Sequence, residues 1–183
     1  MNNLIKIKVP ANVICHQLNN TLYIQGPLGI NKIYVNSNLF FLFLKKKGSL
    51  LCNFATTKSK KPNIKLSNEL QKTISKLRTA LKGVVTGFVE EIKLVGVGYR
   101  FTSYKEKQLS LKIGFCNEVK QKIPTSVTLL LESPTKIVLF SYDFESLNQT
   151  VAELKSLRKI DVYKGKGISL EKESISLKEF KKK

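Results

Sequence analysis

Alternating apolar and polar residues recur along the chain and predict short β-strands. The segments "VTLLLES" and "KIVLFSY" are rich in β-branched and aromatic residues, and the turn-forming pair Pro134 and Thr135 separates them, which predicts a β-hairpin. Upstream, "EEIKLVGVGYRF" and "QLSLKIGF" also alternate, and we expect two strands joined by the polar stretch "TSYKEK". Leu39 to Leu44 is a short, continuous apolar run and predicts a buried strand.

Two stretches change to the spacing of a helix with one buried face. The first helix is expected to end at Gly83, and the second to begin near residue 144 with Asp143 as its N-cap. The apolar positions are Leu70, Ile74, Leu77 and Leu81 in the first helix, and Leu147, Val151, Leu154 and Leu157 in the second.

Two pairs of similar motifs recur in the same order and indicate an internal repeat. "KVPANV" (Lys8 to Val13) matches "KIPTSV" (Lys122 to Val127), and "LQKTISKLR" (Leu70 to Arg78) matches "LNQTVAELK" (Leu147 to Lys155). Each copy is expected to form a two-stranded hairpin followed by a helix. The two motifs lie farther apart in the first copy, which therefore carries a lysine-rich insertion.

These patterns predict an α+β fold of two similar domains from an internal duplication, each an antiparallel sheet packed against one helix. We expect the first domain at residues 1–82, with the lysine-rich insertion, and the second at residues 83–183, with "YKGKGI" and a basic tail. The stretch Ala55 to Lys65 has no periodicity and is expected to form an exposed basic loop.

The net charge of the chain indicates the class of its binding partner. The formal net charge is +19, and residues 1–68 contain ten lysines and no carboxylate, the first being Glu69. Such a surface repels itself unless a polyanion neutralises it, which favours nucleic acid or an anionic membrane. Only three of the 32 basic residues are arginine, so contacts to phosphates are expected rather than forked readout of base edges.

Enzyme chemistry has few candidate residues. His16 is the only histidine, and Glu90 and Glu91 are neighbours that point to opposite faces of a strand. The "GVG" at Gly96 to Gly98 lacks the third glycine and the helix of a dinucleotide fingerprint, and is interpreted as strand glycines that let another group approach closely. We therefore expect no catalytic residue and no cofactor.

Cysteine spacing and the apolar runs exclude further classes. Cys15, Cys52 and Cys116 lack a CxxC pair or a histidine at ligand spacing, which predicts neither a disulfide framework nor a metal site. No apolar run approaches the roughly 20 residues of a membrane span. "MNNLIKIKVP" begins to alternate at once, so no targeting peptide is expected.

The stretch "YKGKGI" (Tyr163 to Ile168) combines several features that suit RNA. Glycines let the backbone approach a ligand, lysines supply charge, and a tyrosine offers a ring for stacking. The segment is expected to be a loop that follows the second helix. A simple glycine turn with exposed lysines is the alternative.

The chain resembles the family of the sixth protein of the large ribosomal subunit, in its bacterial and organellar form. The resemblance covers nearly the whole chain, apart from residues 36–68, and rests on "LVGVGYRF", "KIGFCNEV" leading to "KIP", "QTVAELKSLRKIDVYKGKGI", "IKVPANV" and "YIQGPLG". It implies a structural rRNA-binding protein that supports translation and is not an enzyme. Its implied rRNA-binding residues are Lys155, Arg158, Lys159, Tyr163, Lys164, Gly165, Lys166 and Gly167.

The resemblance also implies partners and a place in the ribosome. The second domain would bind large-subunit rRNA near the sarcin–ricin region, close to the translational GTPases, while the first would project towards the stalk base and neighbouring ribosomal proteins. Twenty-nine lysines and thirteen asparagines against four alanines indicate codons rich in A and T, which favours an organelle-encoded gene. We expect a mitochondrial ribosome, with a plastid or a bacterial cytoplasm as alternatives. A freestanding basic nucleic-acid-binding protein is the alternative function.

Overall fold

The computed structural model describes residues 5–35, 39–44, 49–54 and 64–179, with side chains described for residues 7–35 and 71–179. The chain divides into two compact units, Met1–Gly87 and Phe88–Lys183. Three lysine-rich segments lie outside the described residues: 45–47, 58–61 and the end of the basic tail, 180–183.

Within its described residues, the first unit contains six strands followed by one helix. The strands are β1 (Ile5–Lys8), β2 (Ile14–Leu18), β3 (Thr21–Gln25), β4 (Ile30–Tyr34), β5 (Leu39–Leu44) and β6 (Ser49–Phe54), and the helix is α1 (Ile64–Thr86). They form two antiparallel sheets, ordered β2-β3-β4 and β1-β6-β5. Helix α1 packs on β3 and β4, and Ile74, Leu77 and Val84 are buried with the inner residues of that sheet.

The second unit has the same classes of element. Its strands are β7 (Phe88–Val95), β8 (Arg100–Lys105), β9 (Gln108–Lys112), β10 (Val119–Lys122), β11 (Val127–Ser133), β12 (Lys136–Ser141) and β13 (Gly167–Leu170), and its helix is α2 (Phe144–Leu157). The antiparallel sheets are ordered β11-β12-β7-β13 and β10-β9-β8. Helix α2 packs on β12, β7 and β13, and residues of both sheets share its core.

The predicted α+β class with a helix on an antiparallel sheet in each unit is confirmed, and each unit adds a second sheet. The repeated motifs also form the same turn. The N–H of Val13 donates to the Pro10 carbonyl at 3.1 Å, and the N–H of Val127 donates to the Pro124 carbonyl at 3.1 Å. This shared turn agrees with the expected duplication, because motifs of common origin keep their backbone geometry.

The predicted end of the first helix at Gly83 is wrong. Helix α1 continues to Thr86, so the domain boundary expected after residue 82 falls inside it, and Ile64 and Lys65 are helical rather than part of a basic loop. Gly87 ends the helix: its φ is +71°, and its N–H donates to the Gly83 carbonyl at 2.9 Å. Val84 is fully buried, so packing holds the helix together through Gly83.

Two predictions in the second unit also need correction. The stretch "TSYKEK" is not a link, because β8 runs to Lys105 and only Glu106 and Lys107, both at positive φ, form the turn. Gly96 to Gly98 do not lie within a strand either, since they form the turn between β7 and β8. The hairpin turn at Pro134 and Thr135 and the helix start at Phe144 are confirmed.

Candidate nucleic-acid interface

An open groove of about 700 Å³ lies at the C-terminal end of α2. Three parts of the second unit surround it: the end of α2 with the following loop, the β7–β8 turn, and the segment after β9. We call it the basic groove, and its lining residues are Val97, Tyr99, Phe115, Leu157, Arg158, Lys159, Asp161, Lys164 and Lys166.

Asp161 organises the loop that carries two of the lysines. Its N–H donates to the Lys166 carbonyl at 2.9 Å, and its own carbonyl accepts from the Gly165 N–H at 2.7 Å. The Asp161 carboxylate accepts from the Tyr163 N–H at 3.0 Å, which is an Asx turn. Gly165 has φ +68°, a conformation that L side chains rarely adopt. These bonds close the loop, so Lys164 and Lys166 lie in a defined turn at the groove.

Gly167 lies where the chain has no room for a side chain. A Cβ there would come within 2.8 Å of Ile160 Cα and of the Lys159 carbonyl oxygen. Gly167 and Ile168 are therefore buried residues of β13 and not loop residues, which corrects the expectation that the whole of "YKGKGI" is a loop. The close approach that this glycine permits is to the backbone of Lys159 and Ile160, which fixes Lys159 at the groove.

Arg158 is the C-cap of α2 and is held at both ends. Its carbonyl accepts from the Ile168 N–H at 3.1 Å, and its guanidinium carbon lies 5.2 Å from the centroid of the Phe115 ring. A guanidinium within about 6 Å of an aromatic face gains a cation–π interaction. Phe115 is half-exposed, so this pair presents both charge and ring to an incoming ligand.

Tyr99 forms the inner wall of the basic groove. Its ring is buried between two glycines, because a Cβ at either Gly96 or Gly114 would come within 3.0 Å of it. Both glycines have positive φ. The prediction that the "GVG" glycines let a side chain approach is confirmed for Gly96, although the glycine lies in a turn rather than a strand.

The structure does not bring all eight predicted residues to the groove. Arg158, Lys159, Lys164 and Lys166 line it, whereas Lys155 does not. The Lys155 Nζ lies 2.7 Å from a carboxylate oxygen of Glu173, and this hydrogen bond lowers the pKa of Glu173 below its ordinary value. Tyr163 and Gly165 lie in the same loop without lining the groove, and a Cβ on Gly165 would come within 3.3 Å of Leu177.

The groove keeps its positive charge. Among the residues that the structure describes, Lys159, Lys164 and Lys166 are exposed and have no ion-pair partner within 4.0 Å. Lysines elsewhere in this unit do pair: Lys136 Nζ lies 2.8 Å from Glu171, 3.0 Å from Glu91 and 3.1 Å from Glu132, which raises its pKa above the ordinary range. Unneutralised cations around a concave surface are what a phosphate backbone requires.

The residues considered as candidates for catalysis make structural contacts within the fold. His16 stacks on Tyr23 with ring centroids 5.2 Å apart, and Glu90 and Glu91 face Lys172 and Lys136. Within the described ranges, no three His, Cys, Asp or Glu residues are grouped so as to hold a metal ion. Neither helix, where described, combines the length and the apolarity that crossing a bilayer demands.

Five of the nine residues that line the groove were not predicted from the sequence: Val97, Tyr99, Phe115, Leu157 and Asp161. Val97 is 91% exposed at the tip of the β7–β8 turn, although an apolar residue in alternating sequence is normally assigned to the core. A signal was present, since both Val97 and Phe115 follow directly after a glycine with positive φ. The glycines alone did not show that Val97 and Phe115 belong to one site. The fold shows this, because it places the β7–β8 turn and the segment after β9 at the same groove.

Comparisons with known proteins agree on one family. The sequence profile of the family described as ribosomal protein L6 matches residues 95–171. Large ribosomal subunit protein uL6 of Nitrosospira multiformis is 33% identical over 177 residues, covering 97% of this chain and 96% of that protein. Large ribosomal subunit protein uL6m of Reclinomonas americana is 35% identical over 188 residues, with the same coverage. Large ribosomal subunit protein uL6 of Thermosipho melanesiensis is 30% identical, covering 99% of this chain and 89% of that protein.

Proposed function

The chain belongs to the ribosomal protein L6 family, a structural and non-enzymatic component of the large ribosomal subunit, and from that premise we propose that it binds large-subunit rRNA through the basic groove. The observation that carries the proposal is the set of cations around the groove, for which the described residues supply no carboxylate within 4.0 Å: Arg158, Lys159, Lys164 and Lys166. Lysine on a flexible stem contacts phosphates as a point charge, so such a set binds a folded RNA backbone with little dependence on base sequence.

The eight residues then have different roles. Lys159, Lys164 and Lys166 bind phosphate oxygens, and Arg158 together with Phe115 contacts an unstacked base or a sugar edge. Gly165 and Gly167 shape the loop, because their missing side chains leave room for Leu177 and for the Ile160 backbone. Tyr163, about half-exposed beside the groove, offers its ring for stacking. Lys155 positions the segment after β13 through Glu173 and reaches RNA only if that ion pair opens.

The proposal also covers the position of the chain in the ribosome and the compartment of that ribosome. We place the second unit, Phe88–Lys183, near the sarcin–ricin region and the site of translational GTPases, and the first unit, Met1–Gly87, towards the stalk base and neighbouring ribosomal proteins. We also propose a mitochondrial ribosome and an organelle-encoded gene. The lysine- and asparagine-rich composition and the relative uL6m support this, although bacterial relatives are similarly close.

Sedimentation of the tagged chain through a sucrose gradient tests the proposed function. We expect it in the large-subunit fraction, and we expect it to stay there at moderate salt because contacts with folded RNA are partly desolvated. Recovery only at the top of the gradient, together with binding to duplex DNA that falls steeply with salt, would instead identify a freestanding nucleic-acid-binding protein.

A pair of matched charge reversals tests the groove itself. Lys164→Glu with Lys166→Glu should lower incorporation into large subunits at least tenfold, because it places two negative charges against the phosphates. Lys105→Glu with Lys107→Glu makes the same charge change at the far end of β8, the strand that begins beside the groove. This control should incorporate normally. Equal incorporation of the two variants would exclude the groove lysines as important rRNA contacts.

A further inference from the structure

The sheet β2-β3-β4 has one face on α1 and a second face that no described residue covers. We call the second one the outer sheet face. Side chains alternate along each strand, so the inner residues Cys15, Leu22, Ile24 and Ile33 are buried. The strand register places the outer residues in three rows, which are Ile14, Gln25 and Ile30, then His16, Tyr23 and Lys32, then Leu18, Thr21 and Tyr34.

Large apolar side chains lie in the two terminal rows of this face. Ile14 is 63% exposed, Leu18 59%, Ile30 49% and Tyr34 85%. Single exposed apolar residues are ordinary on protein surfaces, but four on one flat three-stranded face mark an interaction surface. Tyr34 belongs to the residue types that most often carry binding energy at protein interfaces.

The middle row argues against RNA as the occupant. The rings of His16 and Tyr23 are stacked with an angle of 2° between their planes, and the Lys32 Nζ lies 5.6 Å from the Tyr23 ring centroid. Sheets that bind single-stranded RNA present free ring faces on which bases stack. Here the rings of His16 and Tyr23 cover one another, and three of the four exposed apolar residues of the face are aliphatic.

Charge narrows the choice between protein partners. Residues 1–87 contain fourteen basic residues and a single carboxylate, Glu69, and the outer sheet face itself carries Lys32 and no carboxylate. A second copy of this chain would bring the same positive charge, which opposes self-association. An acidic partner gains attraction instead, and electrostatic complementarity favours its encounter.

We propose that the outer sheet face binds an acidic amphipathic helix of a neighbouring protein. Five-residue strands span about 17 Å, the length of roughly 11 helical residues, so three helical turns cover the face. The apolar stripe of such a helix covers Ile14, Leu18, Ile30 and Tyr34, and its acidic residues reach Lys32. The sheet then has a helix on each face, an arrangement common to layered domains. The outer sheet face and the basic groove are separate sites on different units.

Binding of designed peptides to the full chain tests this proposal. The probe is a labelled peptide of about 18 residues with leucine at helical spacing and glutamate elsewhere. Its controls are a scrambled peptide of the same composition and a uridylate oligomer of similar length. Fluorescence anisotropy at constant salt is measured for the natural chain, for Tyr34→Ser with Ile30→Thr, and for Leu130→Ser, which removes a 65% exposed leucine from the second unit.

The amphipathic peptide should bind more tightly than the scrambled one, and Tyr34→Ser with Ile30→Thr should weaken it at least tenfold. Leu130→Ser should leave its affinity within about twofold. Circular dichroism checks that the variants keep their fold. Equal binding of the two peptides, no loss in the Tyr34 variant, or no binding at all would overturn the proposal. Weakened binding of the uridylate oligomer in the Tyr34 variant would show the face to be an RNA platform instead.

Discussion

Gly167 shows how one residue fixes the geometry of the basic groove. Its absent side chain lets β13 lie against the backbone of Lys159 and Ile160. The sequence predicted that the glycines in "YKGKGI" allow another group to approach closely, and this is confirmed for Gly167. The sequence alone did not identify the group that approaches. Only the pairing of β13 with β7 reveals that the neighbour is the chain itself. Lysine positions were predictable from charge, whereas their fixed orientation depends on such contacts.

Gly167→Ala should therefore destabilise the second unit by about 2–3 kcal/mol, because the new methyl group meets backbone atoms that cannot move aside. Gly98→Ala is the matched control: its φ is also positive, at +76°, but no atom lies within 4 Å of the added Cβ. Gly98→Ala should lower the free energy of unfolding by only about 1 kcal/mol, because only backbone strain is added. Urea denaturation measures both losses. Equal losses would mean that the crowding at Gly167 is relieved by small shifts.

Cys15 and Cys116 should differ strongly in thiol reactivity. Burial raises the pKa of the Cys15 thiol from 9.0 to about 11, while Cys116 is exposed. Below pH 9 the thiolate fraction of Cys15 is then about 100-fold lower than for a thiol of ordinary pKa. Alkylation with iodoacetamide, followed by peptide mapping, should modify Cys116 at pH 8 and leave Cys15 intact.

The sign of the pH effect follows from the raised pKa of Cys15. The folded state holds the proton more tightly than the unfolded chain, so this contribution to stability is complete below pH 9 and is lost as the pH rises towards 11. Alkylation of Cys15 should accelerate over the same interval. Equal rates for the two cysteines at pH 8 would contradict the buried position of Cys15 in β2.

At the scale of elements, local signals predicted where α2 begins, and packing decided where α1 ends. Asp143 was predicted as the N-cap from its residue type, and its carboxylate accepts from the N–H groups of Glu145 and Ser146. Gly83 carried the usual sign of a helix end, but Leu81 and Val84 on either side are buried, so the helix continues to Gly87. Propensity at a single glycine is small beside two buried side chains.

Asp143→Ala should lower the stability of the second unit by about 1 kcal/mol, the usual cost of losing an N-cap acceptor. Asp143→Asn keeps an acceptor oxygen and should recover most of that loss. The urea midpoint of each variant gives the comparison, with the natural chain as reference. A midpoint for Asp143→Ala that matches the natural chain would show that packing alone determines the start of α2.

At the scale of the whole molecule, the net charge and the repeated motifs predicted the class of partner and the two-unit architecture. The excess of lysine predicted a polyanionic partner, and the repeated motifs predicted two units with related elements. The sequence did not predict which lysines form ion pairs and which line the groove. Lys136 and Lys155 pair with glutamates. The lysines that line the groove are Lys159, Lys164 and Lys166. All five residues are alike in sequence, and only tertiary structure brings carboxylates to two of them.

A density map of the intact large ribosomal subunit with this chain in place would show directly whether the basic groove binds rRNA. We predict that the basic groove faces rRNA, with phosphate oxygens about 3 Å from the Nζ atoms of Lys159, Lys164 and Lys166. Phe115 and Arg158 should lie against a nucleotide in the same map. A map in which the groove faces solvent, while the chain is bound through another surface, would exclude the groove as the rRNA-binding surface.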